Sequence, residues 1–290
     1  MPASQTAFFP RPTQINPLLT TQHIADVNTI SSFLSSPSQL FDFEDPANTV
    51  YVLVGSAILP TLKATFDHIT QCQHPVTLVL SGGIGHSTSL LHDAVSRHKT
   101  YSSISADIQG LPEAQVFKLL LIEFWPSLRG SLDDGSVKLL IDDRSTNCGA
   151  NAIETKRELD IHKIRPKRLF IVQDPTMHRR TLATFEKVFQ DAIRTDGLEL
   201  VPWSFHPKLK LSNAGLLSWD IQCPSIDKAE DFELWDSGRF IGLVLGEIPR
   251  LRDDENGYGP KGAGYIAHVD IPKEVEEAWS RLTLELKSQR

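Results

Sequence analysis

Four polar segments carry the residue types that do chemistry, and three of them follow directly on an apolar run. Ser81-Gly82-Gly83-Ile84-Gly85-His86-Ser87-Thr88 sets three glycines ahead of hydroxyls at a helix start. Glycine there lets backbone N–H groups approach an anion, and the same residues also suit a tight turn with a Ser/Thr cap. The segment is neither G-x-G-x-x-G nor a P-loop, because no Lys follows. Asp142-Asp143-Arg144-Ser145-Thr146-Asn147, with Asn151 one turn further on, offers adjacent carboxylates that can hold ribose hydroxyls or an amine. Its residues equally suit a helix cap and a surface ion pair. Gln173-Asp174-Pro175-Thr176-Met177-His178-Arg179-Arg180 brings together an acid, an imidazole and two guanidiniums. Arg clamps carboxylate or phosphate, and His works as acid or base near neutrality. The fourth, Gly246 to Pro260, mixes glycines with Glu247, Arg250 and Tyr258. It reads as a lid or as a compact surface loop, and its acids lack the spacing of a calcium loop.

The elements that must position these residues follow a repeating pattern. Apolar runs at 50–54, 76–80, 137–141 and 168–172 each end in a polar or glycine-rich turn and lead into a helical stretch. The first turn is Gly55-Ser56, which joins the ligand-binding candidates. A further strand is expected over 198–203 and a long helix over 112–125. Continuous apolar strands are buried on both faces, and their alternation with helices predicts an α/β, Rossmann-like, doubly wound and mainly parallel sheet. Ligands of such sheets bind beyond the carboxyl ends of the strands, where the polar segments gather. The pattern stops near residue 205. A helix around 232–245, the loop 246–264, a strand-like 265–271 and a helix from Pro272 are expected after it. This gives a helical lead-in over 1–45, an α/β domain over 46–205, and a smaller, mostly helical C-terminal part over 206–290 that carries the loop.

The chain has 290 residues, with 29 Lys and Arg against 36 Asp and Glu, a net charge of −7. That balance argues against a general nucleic-acid binder, which needs a basic face. Cys72, Cys148 and Cys223 are too far apart for a disulfide framework or a C-x-x-C zinc site. A reducing, cytoplasmic setting and no metal centre are expected. Residues 1–14 lack a signal-peptide pattern, and the richest apolar stretch, 119–125, is too short to span a membrane. No G-x-S-x-G elbow and no H-E-x-x-H occur.

The segments 80–88, 143–149, 172–181, 246–254, 257–260 and 268–270 together resemble the SanA/ElyC/YdcF group of domain-of-unknown-function proteins, and its YdcF-like members most closely. The resemblance spans about residues 48–280. It implies a Rossmann-like domain and a nucleotide-like small-molecule ligand, S-adenosylmethionine being the one associated with YdcF-like proteins. The group's pattern of Glu, then Ser-x-Asn-Thr-x-Glu-Asn, then His-x-x-Arg implies site roles for Glu113, Ser145, Asn147, Asn151 and His178. Cys148 and Ala150 stand where the pattern has Thr and Glu.

The expected site therefore has His178, Asp174 and Asp143 as catalytic groups. Gly55, Ser56, Ser81, Gly82, Gly83, Gly85, His86, Ser87, Glu113, Ser145, Asn147, Asn151, Gln173, Arg179, Arg180, Glu247, Arg250 and Tyr258 are expected to bind the ligand. The expected function is binding of S-adenosylmethionine by an enzyme that transfers a group from it or cleaves it. A phosphoester or pyrophosphate hydrolase, with Arg179 and Arg180 on the phosphate, is the alternative, and a non-catalytic sensor the third reading.

Overall fold

The computed structural model describes residues 19–35, 49–213, 215–221, 223, 226, 229 and 233–287. Of the helical lead-in expected over 1–45, residues 1–18 and 36–45 lie outside them. The apolar runs form β1 (Thr49–Val54), β2 (Val76–Ser81), β3 (Val137–Asp142), β4 (Arg168–Val172) and β5 (Glu199–Trp203). They make one parallel sheet in the order β3-β2-β1-β4-β5. The doubly wound α/β fold follows from the alternation of strands with α2 (Leu59–Gln71), α3 (Thr88–Arg97), α4 (Glu113–Phe124), α5 (Pro126–Asp133), α6 (Cys148–Ile161), α7 (His178–Val188) and α8 (Gln190–Asp196). The single stretch expected over 112–125 ends at Phe124, and Pro126 opens α5. Proline cannot donate within a helix but fits its first turn.

Successive β1 residues point to opposite faces, which accounts for the unbroken apolar run. Val50, Val52 and Val54 pack with Leu169, Ile171, Ala152, Leu159 and Phe185, so α6 and α7 cover that face. Tyr51 and Leu53 belong to the larger core on the other face, with Phe66 of α2 and Phe117 of α4. That core also takes in Val27, Ile30 and Leu34 of α1 (Thr21–Ser35), Val244 and Ile248 of α9 (Ser237–Leu251), and Ala278 and Leu282 of α10 (Lys273–Lys287). The N-terminal helix and the C-terminal helices thus share one apolar core with the sheet.

Three features differ from expectation beyond residue 205. A hairpin of β6 (Pro207–Leu211) and β7 (Leu217–Ile221) stands there as a separate antiparallel pair. One of its edges is covered, because the Asn28 amide of α1 both donates to and accepts from the Leu209 backbone at 2.9 Å. The helix expected to stop at 245 continues to Leu251 across Gly246 and Pro249. Pro249 has no N–H for the Leu245 carbonyl, and the Trp279 indole N–H of α10 supplies that bond at 2.8 Å. Residues 265–271 form no strand. Tyr265 and Ile266 bond the Tyr258 carbonyl and Ala267 bonds the Ala183 carbonyl, so the segment is tied to its own loop and to α7 rather than to a sheet edge. No described helix is long and apolar enough to cross a membrane.

Helix α6 ends in a Schellman motif. The Ile164 N–H bonds the Leu159 carbonyl and the Lys163 N–H bonds the Asp160 carbonyl, with Lys163 at φ 56°. Lys163 is the one non-glycine residue with positive φ among those described. An L side chain pays for that conformation and glycine does not. Lys163→Gly should therefore raise stability by about 0.5–1 kcal/mol. Urea unfolding of the variant checks this, and a lower midpoint would contradict it.

Candidate functional site

The carboxyl ends of β1 and β2 meet under a buried carboxylate. The Gly82 carbonyl accepts from the Ala114 N–H at 2.7 Å and the Gly83 carbonyl from the Glu113 N–H at 3.2 Å, which seats the start of α4 on the loop after β2. Glu113 then lies over Gly55 and Gly82. A Cβ on Gly55 would fall inside the van der Waals radius of Glu113 Oε2, and one on Gly82 would sit 3.0 Å from it. With the carboxylate in this position, only glycine fits beneath it at position 55. Glu113 Oε1 accepts from Ser87 Oγ at 2.8 Å and Thr88 Oγ1 at 3.3 Å. Among the described residues Oε2 has no protein donor. Burial raises the Glu113 pKa, and the Ser87 and Thr88 hydroxyls offset part of that rise.

The glycine amides expected to face an anion are already engaged. Gly55 N–H bonds the Ser81 carbonyl, Gly82 N–H the Asp142 carbonyl and Gly83 N–H the Ser145 carbonyl, at 2.7, 2.8 and 2.7 Å. Gly85 N–H bonds Thr88 Oγ1 at 2.8 Å. These bonds lace the loops after β1, β2 and β3 together. Ser56 serves the same end, its Oγ accepting from Ile58 N–H at 3.0 Å. His86 and Ile84 stand exposed at the tip of the β2–α3 loop.

After β3, the two aspartates divide the work. Asp142 is fully buried and structural, accepting from Ser81 Oγ at 2.7 Å and from the Arg144 and Ser145 N–H groups at 3.0 and 3.2 Å. Asp143 is half-buried, and Gln115 Nε2 of α4 donates to its Oδ2 at 2.8 Å, two residues from Glu113. Asn147 caps α6 through the Ala150 N–H at 3.0 Å. Arg144 pairs with Glu154 and Glu158 on the outer surface. Asn151 is buried, and its carbonyl lies 3.5 Å from Ser81 Oγ. Ser145 Oγ is buried without a hydrogen-bond partner.

After β4, the predicted groups scatter. Asp174 is buried, with Thr176 N–H and Oγ1 on Oδ1 at 2.8 and 2.7 Å and Trp235 Nε1 on Oδ2 at 3.2 Å. Desolvation raises its pKa against the pull of those donors and of Arg239. Gln173 turns its Oε1 back to the Asp174 N–H at 2.7 Å. His178 lies inside the protein with no exposed surface. Its Nε2 lies 3.3 Å from the Ile171 carbonyl, and its Nδ1 has no hydrogen-bond partner. Burial lowers its pKa to about 4, so the ring is neutral at pH 7.

Both arginines are engaged within the fold, Arg180 more fully than Arg179. Arg179 Nε donates to the Phe33 carbonyl at 3.0 Å and its guanidinium lies over the Phe33 ring, fastening α7 to α1. Arg180 makes a bidentate pair with the buried Glu247 of α9 at 2.6 and 3.0 Å, and Arg250 Nη1 reaches the same carboxylate at 3.0 Å. Breaking such a buried pair on one side costs about 3–5 kcal/mol. Glu247 and Arg250 thus belong to the last turn of α9 and not to a loop. Tyr258 packs edge-on against Tyr265. The loop around it is compact: Gly257 and Gly262 approach the Arg252 and Asp254 carbonyls too closely for any Cβ. His268 braces it between Asp253 and Asp270, at 2.7 and 3.0 Å.

The structure thus brings Gly55, Gly82, Ser87, Glu113 and, through Gln115, Asp143 to one edge, where carboxylate oxygens and the Ser145 hydroxyl are without partners among the described residues. Thr88, Gln115 and Trp235 were not singled out from sequence. Thr88 lay in a quoted segment, while Gln115 and Trp235 carry no motif. Among the described residues no group of three or more His, Cys, Asp or Glu is placed to hold a metal ion. No protein-family model matches this chain.

Gly55→Ala should push the Glu113 carboxylate out of its seat and lower stability by about 1–3 kcal/mol, as overpacking does. Glu113→Ala in the same chain should recover part of that loss, giving a coupling of at least about 0.5 kcal/mol in a double-mutant cycle of urea unfolding. Additive effects would show that the two do not share one space. The unfolded chain protonates His178 below its ordinary pKa of 6.5, whereas the folded chain does so only near 4. Stability should therefore fall as pH drops from 6.5 to 4, with roughly 3 kcal/mol of the loss due to this ring. His178→Gln should remove that share from the pH profile, and an unchanged profile would contradict the assignment.

Proposed function

We propose that the protein binds S-adenosylmethionine at the carboxyl edge of the sheet and acts on it as a group-transfer enzyme. The identity of the ligand rests on the resemblance. The observation that supports it here is the buried Glu113 carboxylate over Gly55 and Gly82, whose Oε2 has no protein donor. A sulfonium nucleotide brings a fixed positive charge, an ammonium and ribose hydroxyls. Each suits an edge whose unpaired groups are the carboxylates of Glu113 and Asp143. A phosphate ester brings the opposite charge, and Arg180 and the Gly55, Gly82 and Gly83 amides are already committed to protein acceptors. That difference favours the sulfonium reading over the hydrolytic one.

In transfer from a sulfonium, the nucleophile bonds to carbon as the C–S bond breaks, and the electron pair of that bond returns to sulfur. A neutral nucleophile releases a proton in the same step. Glu113, with its pKa raised by burial, suits the base that accepts it better than the enclosed His178. Asp143 and Gln115 suit the hydroxyls of the ligand, and Asp174 is a positioning residue that holds the end of β4.

Calorimetric titration with S-adenosylmethionine should show saturable binding, with the ligand intact by mass when no acceptor is present. Glu113→Gln should weaken binding at least tenfold, about 1.4 kcal/mol. The raised pKa makes Glu113 lose stability for the fold as pH rises above its ordinary range, so the neutral amide should fold at least as stably at pH 7. No binding at millimolar ligand overturns the proposal, as does unchanged affinity in Glu113→Gln.

A further inference from the structure

A concave site lies at the other end of the sheet, where the strands begin. A hollow of about 380 Å³ is lined by Val76 at the start of β2, Lys138 near the start of β3, and the turn from Lys163 to Pro166 that leads into β4. That volume is in the range of small-molecule sites. Its charged lining residues are Lys138, Lys163 and Arg165, all cations and all exposed, and no carboxylate lines it. Arg165 is partly neutralised by Asp160 at 2.8 Å. Lys138 and Lys163 have no ion-pair partner among the described residues. Val76, Ile164 and Pro166 give the hollow an apolar wall.

The backbone supplies an independent observation. Lys163 occupies the left-handed position of the Schellman motif that closes α6, where glycine costs least. The motif already satisfies the Asp160 and Leu159 carbonyls through backbone N–H groups, so the side chain is not needed as a cap. The chain nonetheless places an ammonium there, beside two other cations and over a cavity. Unfavourable backbone conformations that persist in folded proteins cluster at binding sites.

We infer that this hollow at the amino edge of the sheet is a binding site for a nucleotide-sized phosphate ester, with its phosphates on Lys138, Lys163 and Arg165 and its apolar body on Val76, Ile164 and Pro166. The site is separate from the carboxyl edge, and the two prefer ligands of opposite charge. A protein with both can sense one small molecule while handling another.

The test uses ATP as the probe and calorimetry on the full chain. Saturable binding is expected, and Lys138→Gln with Lys163→Gly should weaken it at least tenfold. Lys163→Gly alone should also weaken it while raising the unfolding midpoint, so that loss of binding cannot be ascribed to loss of fold. Glu113→Gln should leave ATP affinity unchanged, which separates this site from the carboxyl edge. Absence of saturable binding at millimolar ATP overturns the inference, as does unchanged affinity in the double variant or a loss of affinity confined to Glu113→Gln.

Discussion

One volume decides the carboxyl edge of this protein: the space above Gly55 that the Glu113 carboxylate fills. Everything near it is arranged to keep that space open and that carboxylate in place. The Gly82 and Gly83 carbonyls receive the first amides of α4, which fixes where Glu113 begins its side chain. Ser87 and Thr88, from the start of α3, hold one oxygen. A buried carboxylate with a single satisfied oxygen is expensive in a low-dielectric setting. Its retention leaves one carboxylate oxygen at the end of the sheet without a protein donor among the described residues.

The rest of the edge can be sorted by whether its polar groups are committed within the fold. Asp142, Asn147 and Asp174 hold backbone amides, and Arg179 and Arg180 join α7 to α1 and to α9. These residues are polar and buried because they fasten loops and helices to strand ends. Glu113 and Asp143 are the carboxylates left with an oxygen to spare. Of the cations expected there, Arg180 is neutralised by Glu247 and Arg144 by Glu154 and Glu158, whereas Arg179 is held by a carbonyl and a ring.

Much of the fold was legible because both-face burial writes itself as unbroken apolar runs. Val50 to Val54 and Leu169 to Val172 are examples, and the turns that follow them carry the polar residues. The site was legible as a region, not as roles. His178 and Arg180 have side-chain types that suit catalysis and clamping, but burial and pairing are tertiary facts. Nothing local distinguishes an arginine facing a ligand from one facing Glu247, which is 67 residues away in sequence. The end of α9 was misplaced for a related reason. Gly246 and Pro249 are helix breakers locally, and the indole that makes Pro249 tolerable comes from α10. The β6–β7 hairpin does carry a signal, the alternation of Lys208, Leu209, Lys210 and Leu211, which the end of the α/β pattern obscured.

The docking of α1 bears on how the protein is made. Its stripe of Val27, Ile30 and Leu34 is fully buried, and Asp26 is clamped by Arg281, 255 residues further along the chain. A ribosome adding roughly 5–20 residues per second leaves that stripe without its final cover for on the order of tens of seconds. The sheet can assemble in that interval, but α1 is fully covered only once α10 has been made. Until then the stripe of α1 is an apolar helical face of the kind that chaperones bind.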